Sequence, residues 1–149
     1  PSEITALHHV ILGKAWAQRN DYDKAMRNYN EAVRRYPSCP GCYNQRGIGW
    51  LQMQNPDNAV RDLNEAINLD PNYVNAFYNR ALAYIQQNRL YEAIADLDYV
   101  LELSPEHANS YYWRGFINMK TGNRSQAVRD RRRAVELDQN LGYSPDYTR

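Results

Sequence analysis

The two cysteines and three histidines of this 149-residue chain are the natural places to look for chemistry. Cys39 and Cys42 stand in Ser38-Cys39-Pro40-Gly41-Cys42. That spacing resembles a redox motif, which normally needs a strand leading into a helix, and no stretch here reads as a strand. Covalent haem attachment would need His at position 43, which is Tyr43, and no second Cys pair exists to complete a zinc site. The expectation is two thiols in a loop, with a local disulfide in an oxidising compartment as the alternative. His8 and His9 are adjacent, so they leave a helix on different sides and cannot share a metal. His107 lies far away in sequence. No nucleophile stands with a base, and there is no glycine-rich phosphate loop or carboxylate pair. The chain is therefore expected to be no enzyme, with no catalytic, cofactor or metal residues.

What remains is the chemistry of binding. Thirteen Tyr and three Trp are a heavy aromatic load. Such side chains offer rigid apolar area with a polar tip, and they anchor interfaces. Asn and Gln, which both donate and accept hydrogen bonds, recur beside them. The elements that carry these residues follow from a period. Ala25, Ala59, Ala93 and Ala127 are 34 residues apart. Gly13, Gly47, Ala81 and Gly115 keep the same interval, as do Pro37, Pro71 and Pro105, with Gln139 in the fourth slot. A period of this length signals stacked two-element units. The units fall at 6–39, 40–73, 74–107 and 108–141, with a tail at 142–149, in a single domain 1–149.

Within the third unit, Phe77, Ala81 and Tyr84 lie on one helical face. After Gln87-Asn88-Arg89 the helical spacing restarts with Leu90, Ala93, Ile94, Leu97, Val100 and Leu101. Each unit is thus two amphipathic helices and a short turn. Asn20-Asp21, Asn88 and Gly122-Asn123 mark turns. Asn55-Pro56, Asp70-Pro71 and Ser104-Pro105 read as helix starts, with a capping side chain before a proline. The small residues at the Gly13 and Ala25 positions let the paired helices approach closely.

The pattern closely resembles the tetratricopeptide repeat. Unit one gives His9, Gly13, Trp16, Ala25, Tyr29, Ala32 and Pro37. Unit two gives Tyr43, Gly47, Trp50, Ala59, Leu63, Ala66 and Pro71. Unit three gives Phe77, Ala81, Tyr84, Ala93, Leu97, Val100 and Pro105. Unit four gives Tyr111, Gly115, Asn118, Ala127, Arg131, Ala134 and Gln139. In unit four, Asn118 and Arg131 replace apolar residues, which reads as a polar cap on the last repeat. The resemblance implies an all-α, right-handed superhelical solenoid of antiparallel helix pairs. It also implies a role as a protein–protein interaction scaffold or adaptor.

In this family the first helix of each repeat lines the concave face. That nominates a peptide-binding groove of Asn44, Gln45, Asn75, Tyr78, Asn79, Gln86, Asn109, Tyr112, Trp113 and Phe116. With few charges on these rows, the expected ligand is an extended, largely neutral segment. Some relatives hold acidic chaperone tails through a carboxylate clamp. The matching positions here are Val10, Lys14, Gln45, Asn75 and Asn79, where two of the family's basic residues become Asn and one becomes Val. Without those cations a terminal carboxylate loses its charge-assisted hydrogen bonds.

The alternative role is a homo-oligomeric assembly module that self-associates through its stack ends or its tail, where Tyr143 and Tyr147 flank Ser144-Pro145. Arg124, Arg129, Arg131, Arg132 and Arg133 make the last helix basic, and a solvated terminal face with Asp130 and Glu136 is expected. With a formal net charge of +1, the composition argues against a nucleic-acid partner. No apolar run reaches the ~20 residues of a membrane helix. No stretch reads as a signal peptide, so the expectation leans to the cytoplasm.

Overall fold

The computed structural model describes residues 2–143. The described chain forms eight α-helices and a terminal 3-10 helix. They are α1 (Ser2–Gln18), α2 (Tyr22–Arg35), α3 (Pro40–Gln52), α4 (Pro56–Leu69), α5 (Val74–Gln86), α6 (Leu90–Leu103), α7 (Ala108–Lys120), α8 (Arg124–Leu137) and the 3-10 helix Gln139–Tyr143. Each odd-numbered helix packs chiefly on the even-numbered one that follows it; α2, α4 and α6 also pack on the first helix of the next pair, and α8 on the 3-10 helix. This is an all-α tetratricopeptide-like solenoid. The first pair starts at Ser2, earlier than the repeat boundary expected at residue 6.

The periodic residues explain the packing. Ala25, Ala59, Ala93 and Ala127 are all essentially inaccessible, as are Leu63 and Leu97. A Cβ on Gly13 would lie 2.7 Å from Tyr29 Cδ1, and one on Gly47 would lie 2.9 Å from Leu63 Cγ. Both glycines therefore set how close the paired helices come. The turn inside every pair places one residue in the left-handed region: Asn20 (φ 60), Gln54 (φ 56), Asn88 (φ 57) and Gly122 (φ 86). These four positions are again one period apart. Gln54 had no turn signature in the sequence, because only Asn, Asp and Gly tolerate this conformation readily.

Two readings of the punctuation need correction. Asn55 does cap α4, accepting from the Asn58 N–H at 3.2 Å, with Pro56 at the first helical position. Asp70 and Ser104, however, close α4 and α6, and Pro71 and Pro105 follow those ends. A proline there stops a helix because it cannot continue it. The next helices start later, after Tyr73 and His107. The cysteines are not two free thiols. Cys39 caps α3, Pro40 begins it, and a disulfide joins Cys39 to Cys42 within the first turn. Helical geometry from a capping residue to the third helical position brings the two sulfurs together without a strand.

The expected tail also changes. Gly142 and Tyr143 belong to the 3-10 helix packed on α8. The docking idea for the segment around Pro145 and Tyr147 falls outside the described residues. No described helix is long and apolar enough to cross a membrane.

Candidate functional site: the inner face of the first helices

An element of the site that spacing alone left unread is a ladder of arginines. Arg46, Arg80 and Arg114 sit on α3, α5 and α7, one period apart. Arg46 Nε and Nη2 each donate to Asp62 at 2.7 Å. Arg80 makes the same fork to Asp96 at 2.8 and 2.7 Å, and Arg114 to Asp130 at 2.9 and 2.6 Å. The third nitrogen, Nη1, reaches back to the second helix of the preceding pair. Its partners are Asn30 at 3.0 Å, Asn64 at 2.8 Å and Asp98 at 2.6 Å. One guanidinium thus fastens three helices, which its rigid planar fork is suited to do.

The aromatic at the head of the repeat motif lies by the same group. Tyr43, Phe77 and Tyr111 have the guanidinium carbon 5.6, 5.3 and 5.5 Å from their ring centroids. Burial pulls the Arg114 charge down, but Asp130 and Asp98 more than offset it and hold the group fully cationic. Asp130, expected on a solvated face, is corrected with the rest of the row. Asp62, Asp96 and Asp130 are 5%, 6% and 2% exposed. Asn118 likewise faces inward: it is buried, and its Nδ2 donates to Asp130 at 3.4 Å. It is not an outward cap. Arg132 and Arg133 are exposed as expected, and Arg133 pairs with Glu136 at 3.2 Å.

The ladder holds the first helices in a row. α1 touches α3 and α3 touches α5 more extensively than the second helices touch one another. Over the first three repeats the first helices therefore lie closer together than the second helices do. Residues nominated for the groove fall into two groups there.

The first group is amide. Asn79 Nδ2 donates to Asn44 Oδ1 at 2.9 Å, and Asn44 is only 2% exposed. Asn44 is therefore corrected from a ligand contact to a buried bridge that holds Asn79 in place. Gln86 Nε2 lies 3.4 Å from the Leu51 carbonyl, a weak tie across the same two helices. Gln45 lines a hollow of about 190 Å³ with Lys14, Gln18 and Gln52. Asn75 and Asn109 are exposed at the starts of α5 and α7.

The second group is aromatic. The Tyr78 ring lies 4.8 Å from His107. Burial raises the Tyr78 phenol, and a hydrogen bond from the Trp113 side chain partly lowers it again. Trp113 meets Tyr112 edge-on at 5.3 Å and Phe116 edge-on at 5.7 Å. Lys120 lies over Phe116 at 4.8 Å. Tyr78, Tyr112, Trp113 and Phe116 thus converge across α5 and α7, partly exposed. His107 supports this cluster. Its Nδ1 accepts from the Ser110 N–H at 3.2 Å and lies 2.8 Å from Ser110 Oγ, so it caps α7. Among the described residues, no group of three or more His, Cys, Asp or Glu side chains is placed to hold a metal.

Comparison with known proteins agrees with this architecture. A "TPR repeat" family model matches residues 51–88 and 81–122, and two "Tetratricopeptide repeat" models match 10–38 and 108–141. No curated protein sequence matches the chain. Among solved structures, MamA 41-end from Desulfovibrio magneticus RS-1 is similar. It has a TM-score of 0.80 at 21% identity, over 91% of this chain and 76% of that one. The first TPR of Spaghetti (RPAP3), bound to HSP90 peptide SRMEEVD, gives 0.78 at 24% identity, over 80% and 95%. YrrB, a TPR protein with an unusual peptide-binding site, gives 0.77 at 22% identity, over 91% and 71%. Identities this low speak for the fold alone. Family models spread over all four helix pairs, together with the observed solenoid, place this chain in the tetratricopeptide-repeat family.

Proposed function

We propose that the four repeats act as one non-enzymatic scaffold that binds an extended, largely neutral peptide segment of a partner protein along the inner face. The observation that carries this is the convergence of Tyr78, Tyr112, Trp113 and Phe116 beside the exposed amides of Asn75 and Asn109. Aromatic surface supplies anchoring area, and the amides can meet a peptide's N–H and C=O groups. Asn79, held by Asn44, and Gln45 and Gln86 extend the amide row towards α3. Solved relatives bound to or built to bind peptides support the reading. An acidic peptide such as SRMEEVD is a poor fit, because Val10, Asn75 and Asn79 stand where the clamp of such relatives carries cations.

The test is a display selection of random linear peptides on the wild-type chain, followed by titration of the selected peptides. Peptides selected by the groove should be rich in apolar and aromatic residues. They should lose at least about tenfold in affinity to Trp113→Ala, the cost of removing one interface anchor of about 1.4 kcal/mol or more. Selected peptides that bind Trp113→Ala and Asn109→Ala as tightly as wild type would sink the proposal. So would a selection dominated by acidic termini.

A further inference from the structure

The first helix of the stack carries an exposed apolar surface at the repeat-one end of the groove. On α1, Ile4 is 77% exposed, Leu7 59%, Ile11 58% and Leu12 36%. Ile4, Leu7 and Ile11 are spaced three and four residues apart and form one line. The opposite side of α1 is buried through Ala6 and Gly13. Exposed apolar residues in line along a helix mark a face that could be covered.

The repeat period says what kind of surface this is. His8 and Ala15 are exposed on α1. Their counterparts one, two and three periods on are Cys42, Ala76 and Ser110, and Gly49, Ala83 and Ile117. All six are buried, on first helices that each pack against the preceding pair. The side of α1 that carries His8 and Ala15 is therefore a joint face left open in this structure; Ile4 and Ile11 border it, while Leu7 and Ile11 also stand in register with the groove positions Asn75 and Asn109, and Gln45, Asn79 and Trp113. The other end of the stack is a poor complement. There the 3-10 helix Gln139–Tyr143 already lies on α8. It occupies the stretch that α1 of an incoming copy would follow, since residues 138–143 correspond to residues 2–7. Arg132 also stands where Asn30, Asn64 and Asp98 accept from the next arginine. Head-to-tail stacking would bring Leu12 onto Arg132.

We infer that the face of α1 is the interface of a homodimer, in which α1 of one copy packs antiparallel on α1 of the other. A two-fold contact needs a self-complementary patch, and the charges of α1 supply the direction. Glu3 and Lys14 are its one Asp/Glu and its one Lys/Arg residue, both exposed, one near each end. Antiparallel pairing sets Ile4 beside the partner copy's Ile11, brings Leu7 to the two-fold axis and puts each Glu3 near a Lys14. Parallel pairing would set like charges together. A single helix face is small beside the ~800 Å² per partner of a standard interface, so the dimer depends on concentration.

The experiment is sedimentation of the whole chain from about 1 to about 500 μM, a range wide enough to expose a contact of sub-standard area. A rise from the 17.5 kDa monomer to twice that mass is expected. Ile11→Glu, on an exposed position, should abolish the rise while leaving helicity and melting unchanged. Glu3→Lys and Lys14→Glu should each weaken the dimer, and the double exchange should restore it. A monomer at every concentration overturns the inference. So does mass that grows past the dimer, dimerisation that survives Ile11→Glu, or charge variants that leave the dimer unchanged. Peptide binding at monomeric concentrations is a separate readout, so failure here leaves the groove untouched.

Discussion

Repeat one and the three that follow are built on the same period but fastened differently. In repeats two to four an arginine on the first helix grips an aspartate on the second and an acceptor on the pair before. Repeat one has Leu12 and Asn28 at those positions, and His9 Nδ1 lies 3.2 Å from Asn28 Oδ1 in place of the fork. Its two helices are held by apolar packing around Tyr29, Ala25 and Met26. The difference teaches what the arginines are for. A joint between repeats must fix both distance and rotation. Apolar contact fixes distance, while a planar fork with three acceptors also fixes rotation. Repeat one carries no such fork, and its first helix is left with leucine and isoleucine outside.

Breaking a fork should show the largest effect. Asp96→Ala leaves the Arg80 guanidinium, 19% exposed, without its two main acceptors. Removing one partner of a buried pair costs about 3–5 kcal/mol. Asn28→Ala, the same position in repeat one, should cost under about 1.5 kcal/mol, the net worth of an ordinary hydrogen bond. Urea denaturation of both variants checks the contrast, and equal losses would mean that the ladder does not lock the joints.

A middle effect belongs to repeat one. Gly13→Ala places a methyl against the Tyr29 ring, which must shift. Overpacking of this kind costs about 1–3 kcal/mol. At Gly41 the nearest atom to an added Cβ is Tyr73 Oη at 3.7 Å, ordinary contact, so Gly41→Ala should cost little. Comparing the two melting temperatures isolates the close approach of α1 and α2 from glycine's backbone effects.

The smallest effect concerns the cap of α7 beneath the aromatic cluster. Burial lowers the His107 pKa below its ordinary value of about 6.5. Between the lowered value and the ordinary one the unfolded chain binds more protons than the folded chain, so stability rises with pH across that window. The contribution is whole above about pH 6.5 and fades as pH falls below it. A proton on Nδ1 also removes the acceptor of the Ser110 N–H, a cap worth about 1 kcal/mol. Denaturation midpoints at about pH 7.5 and 5.5 should differ more for wild type than for His107→Asn, which keeps a capping acceptor without titrating. Identical pH dependence would remove His107 from the account.

Much of this architecture was legible in advance. The alanines and glycines at a fixed interval mark where two helices must touch, and that requirement is local enough to be written in residue size. Pro56 begins its helix as its spacing suggests, whereas Pro71 and Pro105 follow theirs, because a proline can follow a helix as readily as it begins one. The arginines and aspartates keep the same interval as the alanines, so the signal for the ladder was present. It was missed because a charged residue on a helix is usually solvated. In the groove, the aromatic row was visible, whereas the burial of Asn44 was not. A polar side chain buries only when a partner meets it, and Asn79 lies on another helix.

The sequence by itself determined the helical period, the pairing of helices and the faces they bury, because each depends on residue size and hydrophobicity repeated at set spacing. Only the tertiary structure decided which polar groups face inward, that Cys39 and Cys42 meet across a helix start, and that α1 keeps an uncovered side. Those outcomes depend on groups from different helices arriving at one place, and no spacing along a single chain records that meeting.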